Sequence, residues 1–106
     1  MPEESPRINL LDGVRVLDFT HVHAGPLCTY QLALMGADII KVEAPGNGDQ
    51  MRSMGQQLAP GMSPGFLGQN ASKRSIALDL KSDDGVRLVH RLMEDADVVV
   101  INMRPG

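Results

Sequence analysis

Val14-Arg15-Val16-Leu17-Asp18-Phe19-Thr20-His21-Val22-His23-Ala24-Gly25-Pro26 passes from an aliphatic, β-branched run through two histidines to a proline. Pro26 fits the first turn of a helix, where its missing N–H costs nothing. The stretch therefore predicts a strand, a short turn and a helix. Asp12-Gly13 supplies the turn before the strand. Leu27, Tyr30, Gln31 and Leu34 read as the partly apolar face of the helix, and Gly36 ends it in the left-handed conformation. Ile39 to Glu43 reads as a second strand.

Ala44 to Arg74 then holds six Gly and three Pro with no sustained period. That predicts a long loop, and such loops are usually functional or disordered. Ser75 to Leu80 reads as a third strand with Ile76, Leu78 and Leu80 on one face. Ser82 reads as the cap of a second helix, with Asp83 and Asp84 at the end its dipole favours. The stripe of that helix is Val86, Val89, Met93 and Ala96, with Leu88 and Leu92 beside them. Val98 to Ile101 is continuously apolar, as in a strand covered on both faces of a parallel sheet. Alternating strands and helices predict an α/β fold. Residues 1–11 read as a flexible lead-in and 12–106 as one domain. The stop after a strand, without the helix that would cover the sheet next, predicts the first part of a longer protein.

Composition narrows the function classes. A net charge of -3 gives no global basic field for DNA or an anionic membrane. With no Trp, one Tyr and two Phe, a base-stacking surface for single strands is excluded. No run approaches the roughly 20 apolar residues of a membrane span, and the acidic opening residues do not read as a signal peptide. The single Cys28 cannot close an internal disulfide. It reads as a small packing residue, and a reducing cytoplasm is expected.

The first strand-to-helix turn lacks Gly-x-Gly-x-x-Gly, and no Gly-x-x-x-x-Gly-Lys-Ser/Thr occurs, so hydride transfer and NTP hydrolysis lose support. Gly46-Asn47-Gly48 reads as a flexible turn. His21 and His23, two apart, point the same way if that segment is extended, which suits proton transfer or hydrogen bonding. No Asp, Glu or Cys completes a zinc spacing, so no metal site is expected. Lys73, Arg74, Lys81 and Arg104 flank strands. Strand-end cations can converge on one anion even in an acidic protein.

Six ordered segments carry a resemblance: Leu11 to Phe19, His21 to Pro26, Leu34 to Glu43, Pro45 to Arg52, Asn70 to Lys81, and Ala96 to Val100 with Asn102 to Gly106. Together they resemble the family III CoA-transferases, which include formyl-CoA transferase, carnitine CoA-transferase and the α-methylacyl-CoA racemases. The resemblance implies the N-terminal, Rossmann-like part of that fold, a parallel sheet with flanking helices, in an interlocked homodimer. It implies acyl-CoA and a carboxylic acid acceptor as substrates, with no tightly bound cofactor.

By matching positions, His23 and Ala24 fall on residues lining the thioester and pantetheine region. Leu78, Asp79, Leu80 and Lys81 fall on a CoA-binding strand end, and Asn102, Met103 and Arg104 on a further CoA contact. His21, Gly25 and Pro26 shape the turn. Formyl-CoA transferase has Gln at the place of His23 and Arg at the place of Ala44. His23 keeps a donor for a carbonyl or oxyanion, while Ala44 removes a cationic contact.

The family's nucleophile is an aspartate that lies beyond residue 106, so this chain by itself is expected to be catalytically silent. Three other readings stand beside the transferase: an α-methylacyl-CoA racemase of the same family, a non-catalytic CoA- or nucleotide-binding module, and a structural or interaction domain.

Overall fold

The computed structural model describes residues 9–104. The elements in order are β1 (Arg15–Asp18), α1 (Ala24–Leu34), β2 (Asp38–Glu43), a 3₁₀ turn (Gln50–Ser53), α2 (Pro64–Asn70), β3 (Arg74–Ala77), α3 (Asp83–Glu94) and β4 (Val98–Val100). All strand pairs are parallel and the order is β3-β2-β1-β4. The chain thus walks outward from β1 to β3 and then returns to place β4 on the far side of β1. Helices α1 and α3 accordingly pack on opposite faces.

Side chains along a strand alternate between faces, and here each face has its own character. Leu17, Phe19, Ile40 and Val42 meet Leu78 and Val89 on the α3 side. Val16, Ala37 and Ile39 meet Leu32 and Ala33 on the α1 side. Continuing toward the carboxyl ends on that second side, the next positions are Asp18, Lys41 and Glu43, all buried. The α1 face of the sheet is therefore apolar in its first half and ionic in its second.

Several expectations change. Helix α1 buries Gly25, Pro26 and Thr29, not the face of Leu27, Tyr30 and Leu34. Leu34 is 57% exposed, because the helix crosses the sheet on its small residues. The loop predicted over Ala44 to Arg74 contains the 3₁₀ turn and α2. Helix α2 opens at Ser63, whose Oγ accepts from Phe66 N at 3.2 Å, with Pro64 at its first position. Strand β3 stops at Ala77, three residues short of the expected end, and its last rung to β2 is the bond from Leu78 N to Glu43 O at 2.9 Å. Strand β4 is not covered on both faces: Val99 is 42% and Ile101 60% exposed.

Other expectations hold. Gly36 follows α1 at φ 102°, and Ser82 Oγ accepts from Gly85 N at 3.0 Å to cap α3. Residues 1–8 of the expected lead-in lie outside the described residues. Leu11, its last residue, is anchored by its N–H to Met35 O at 2.9 Å.

Candidate functional site

Strand order reverses between β1 and β4, and open α/β sheets bind ligands outside the carboxyl ends of strands at such a reversal. A cleft of about 470 Å³ lies there, lined by His21, Val22, His23, Ala24, Gln50, Asn102 and Arg104. The segments after β1 and β4 meet across it. A second cleft of about 170 Å³ at the ends of β2 and β3 is lined by Leu78, Asp79, Leu80, Lys81, Ala44 and Met103 among others. Leu80 and Met103 also line a wholly apolar groove of about 280 Å³ beside Phe19, Val89 and Met93.

All nine expected contact residues thus stand at the carboxyl edge of the sheet, in two neighbouring clefts with Met103 lining one of them. Leu78 is buried in the core, so it can offer a ligand only its backbone. Asp79 is turned inward on its own loop, its Oδ1 accepting from Lys81 N at 3.0 Å. The four strand-flanking cations do not converge. Lys73 is buried against Asp18 and Arg74 pairs with Asp38 on the opposite face, whereas Lys81 and Arg104 are exposed and form no ion pair among the described residues.

His23 stands at the N-cap of α1 without capping it, and its Nδ1 meets Gln69 Nε2 from α2. His21 and His23 do face one cleft, but through a turn and not an extended segment. Val22 between them has φ 73°, a left-handed value that is an outlier for a β-branched residue. Three residues hold this turn. Asn102 Oδ1 accepts from His21 N at 3.1 Å while its Nδ2 donates to His21 O at 2.9 Å. Asp49 Oδ1 accepts from Val22 N at 2.9 Å, and Lys41 Nζ donates to Thr20 O at 2.8 Å. Gly25 completes the fit: a Cβ there would lie 2.5 Å from Thr20 Cβ and 2.9 Å from Asn102 Nδ2.

Beneath the turn lies the ionic half of the sheet. Lys41 Nζ is 2.9 Å from Asp49 Oδ2, and Lys73 Nζ is 3.1 Å from Asp18 Oδ2, with all four side chains essentially inaccessible. Asp18 also accepts from Thr29 Oγ1 at 2.7 Å and Thr20 N at 2.8 Å. Lys73 further donates to Asn70 Oδ1 at 2.8 Å and Pro26 O at 3.0 Å. Glu43 takes two hydrogen bonds from Arg52, both 2.7 Å, one from Ser75 Oγ at 2.5 Å and one from Asp49 N at 2.9 Å. The Arg52 guanidinium also covers the Phe66 ring at 3.9 Å.

Buried charges survive only when paired and hydrogen-bonded, and the titration shifts follow. Burial raises Glu43, but Arg52, Ser75 and the Asp49 N–H outweigh it and bring the carboxyl from 4.5 to about 2. Burial raises Asp49 too, and Lys41 with the Met51 and Val22 N–H groups reverses the effect, leaving it below the ordinary value. Burial lowers Lys73, which the Asp18 charge only partly offsets.

A four-stranded parallel sheet with a cleft at its reversal point is common to many nucleotide- and coenzyme-binding proteins, so the whole sequence must distinguish among them. The model of CoA-transferase family III matches residues 11–106. The chain belongs to CoA-transferase family III. Formyl-CoA:oxalate CoA-transferase of Rhodopseudomonas palustris (strain TIE-1) is 51% identical over 96 residues, covering 91% of this chain and 23% of the relative. The enzyme of the same name from Afipia carboxidovorans is 49% identical over the same length.

Among solved structures, the family III chain matches Rv3272 of Mycobacterium tuberculosis with a TM-score of 0.81 and 43% identity, covering 90% of this chain and 27% of that one. A CAIB/BAIF family protein from Brucella suis matches at TM-score 0.77 and 40% identity, over 84% and 24% of the two chains. The chain thus spans about a quarter of the length of its relatives.

Sequence reasoning missed Asp49, Lys41, Glu43 and Arg52 as supports and Gln50 and Gln69 as neighbours of the turn. The signal was partial. Asp49, Gln50 and Arg52 lie in the segment Pro45 to Arg52 already singled out, but an acidic residue in a Gly-rich loop carries no mark of burial.

Proposed function

We propose that the intact protein moves CoA from an acyl-CoA thioester to a carboxylic acid, and that this chain supplies part of the CoA site. The observation that carries the reading is the cleft at the β1/β4 reversal, where His23, Ala24, Asn102 and Arg104 stand together in a chain of family III. In this reading His23 donates to the thioester carbonyl or the oxyanion it becomes, and Lys81 and Arg104 hold phosphate groups of CoA as exposed cations.

An aspartate outside these 106 residues attacks the thioester carbonyl. The C–S bond breaks, CoA leaves as thiolate and an aspartyl anhydride remains. The acyl group then departs as its carboxylate when the thiolate attacks the aspartyl carbonyl. The acceptor carboxylate attacks the resulting aspartyl-CoA thioester and displaces CoA thiolate, which then attacks the acceptor carbonyl of the new anhydride, releasing the new acyl-CoA and the free aspartate. No tightly bound cofactor enters this scheme. The enzyme is read as a cytoplasmic, interlocked homodimer. No helix among the described residues is long and apolar enough to cross a membrane.

The test is CoA exchange by the intact protein between acyl-CoA donors and free carboxylates, with formyl-CoA and oxalate as the first pair because the relatives are named for it. Exchange, with a KM for acyl-CoA raised in Lys81→Ala, supports the reading. Inversion of an α-methylacyl-CoA without exchange would replace it with the racemase.

A further inference from the structure

We propose that Asn102 and Asp49 are positioning residues, which hold the His21–Val22 peptide so that a strained turn presents His23 to the cleft. Three observations converge. The His21 carbonyl and the Val22 N–H belong to one peptide unit, and it is pinned at both ends: Asn102 Nδ2 donates to the carbonyl at 2.9 Å and Asp49 Oδ1 accepts from the N–H at 2.9 Å. Rotation about the next bond is the φ of Val22, which stands at 73°. A left-handed conformation is costly for any residue with a Cβ, and it persists only where its surroundings over-determine it.

The supports are themselves fixed. Asp49 is 3% exposed, and Lys41, which faces it at 2.9 Å, also donates to Thr20 O. The amide of Asn102 meets both the N–H and the carbonyl of His21, as a neighbouring strand would. Its side chain is thereby engaged with the protein, whatever its backbone offers a ligand. His23 follows the strained residue directly, so release of the peptide would swing the N-cap of α1. Misplacement by about 1 Å can cost on the order of a hundredfold in rate.

The activity readout rests on the CoA-transferase reading; the stability readout does not. The experiment is a double-mutant cycle in the intact protein, with Asn102→Ala introduced into the native and the Val22→Gly backgrounds. Glycine adopts φ > 0 freely, so a clamp that serves to hold Val22 matters less once Val22 is gone. Asn102→Ala is expected to lower kcat about a hundredfold with a much smaller change in KM for acyl-CoA, and by less than about tenfold in the Val22→Gly background. The loss of Tm on removing Asn102 is expected to shrink by about half or more in that background.

Equal factors in both backgrounds, or an effect on KM alone, would overturn the proposal and make the Asn102 side chain a direct ligand contact. If the intact protein exchanges no CoA, the functional reading fails by itself and the Tm cycle decides: an unchanged Tm loss overturns the clamp. Should Asn102→Ala not fold, Asn102→Asp keeps the acceptor for His21 N–H and lacks the donor. It is expected to give a smaller loss with the same dependence on residue 22, and no such dependence overturns the proposal.

Discussion

In the proposed reading His23 donates to a carbonyl oxygen, and a glutamine side chain at that position would offer an N–H donor of the same kind. The consequence is asymmetric. His23→Gln is expected to keep kcat for CoA exchange within about tenfold, while His23→Ala loses about 10²- to 10³-fold, the range for deleting one donor to a developing oxyanion. Steady-state kinetics of the intact enzyme check both.

Glu43, below the cleft, makes a prediction about acid. Its folded carboxyl titrates near 2 against an ordinary 4.5. Its contribution is therefore complete above about pH 4.5 and is lost as pH falls toward 2, amounting to at most about 3 kcal/mol. Glu43→Gln should lower stability at neutral pH and flatten the decline across that window, as denaturant midpoints measured from pH 6 to 2 would show. His23 was legible because a turn after an apolar strand advertises itself. Glu43 was not, because a carboxylate at a strand end reads as solvated until Arg52 and Ser75 are folded onto it.

Elements were legible where their period was clean. Strands β1 and β2 and helix α3 appear within a residue or two of the expected bounds, since alternation and a Ser82 cap are local signals. Helix α1 was found but turned the wrong way, because its buried side is Gly25, Pro26 and Thr29, and small residues do not announce burial. Helix α2 was lost in a Gly-rich stretch, although Ser63-Pro64 is a helix start. Its function shows in what it delivers: the turn after it carries Lys73 into contact with Asp18.

Removing one partner of a buried pair strands the other's charge. Lys73→Met is expected to cost about 3 to 5 kcal/mol, and Asp18→Asn added to it should recover part of that loss. Chemical denaturation of the intact enzyme reads both. The β3–α3 connection is equally exacting. A Cβ on Gly85 would sit 1.8 Å from Asp79 O, so Gly85→Ala should lower Tm although alanine favours helices.

At the scale of the molecule, the sheet formed by the described residues has two unpaired edges, β3 and β4, and the β4 side is poorly covered, with Val98 39%, Val99 42% and Ile101 60% exposed. Unpaired edges with apolar faces template association. The 106-residue chain expressed alone is expected to self-associate with increasing concentration, and Val99→Lys to weaken this. Light scattering across a dilution series measures it, and a concentration-independent monomer with one sharp melting transition would contradict it.

The division of the α1 face into an apolar and an ionic half has a consequence for how the sheet chooses its alignment. A strand that slips by one residue exchanges its faces. In β1 or β2 such a slip would drive Asp18, or Lys41 and Glu43, into the aliphatic layer of Val89 and Leu92 with no counterion in reach. A purely aliphatic sheet tolerates that error at little cost; this one penalises it heavily. The buried charges beneath the cleft thus act as an address, admitting the one alignment in which the turn between β1 and α1 meets its holders.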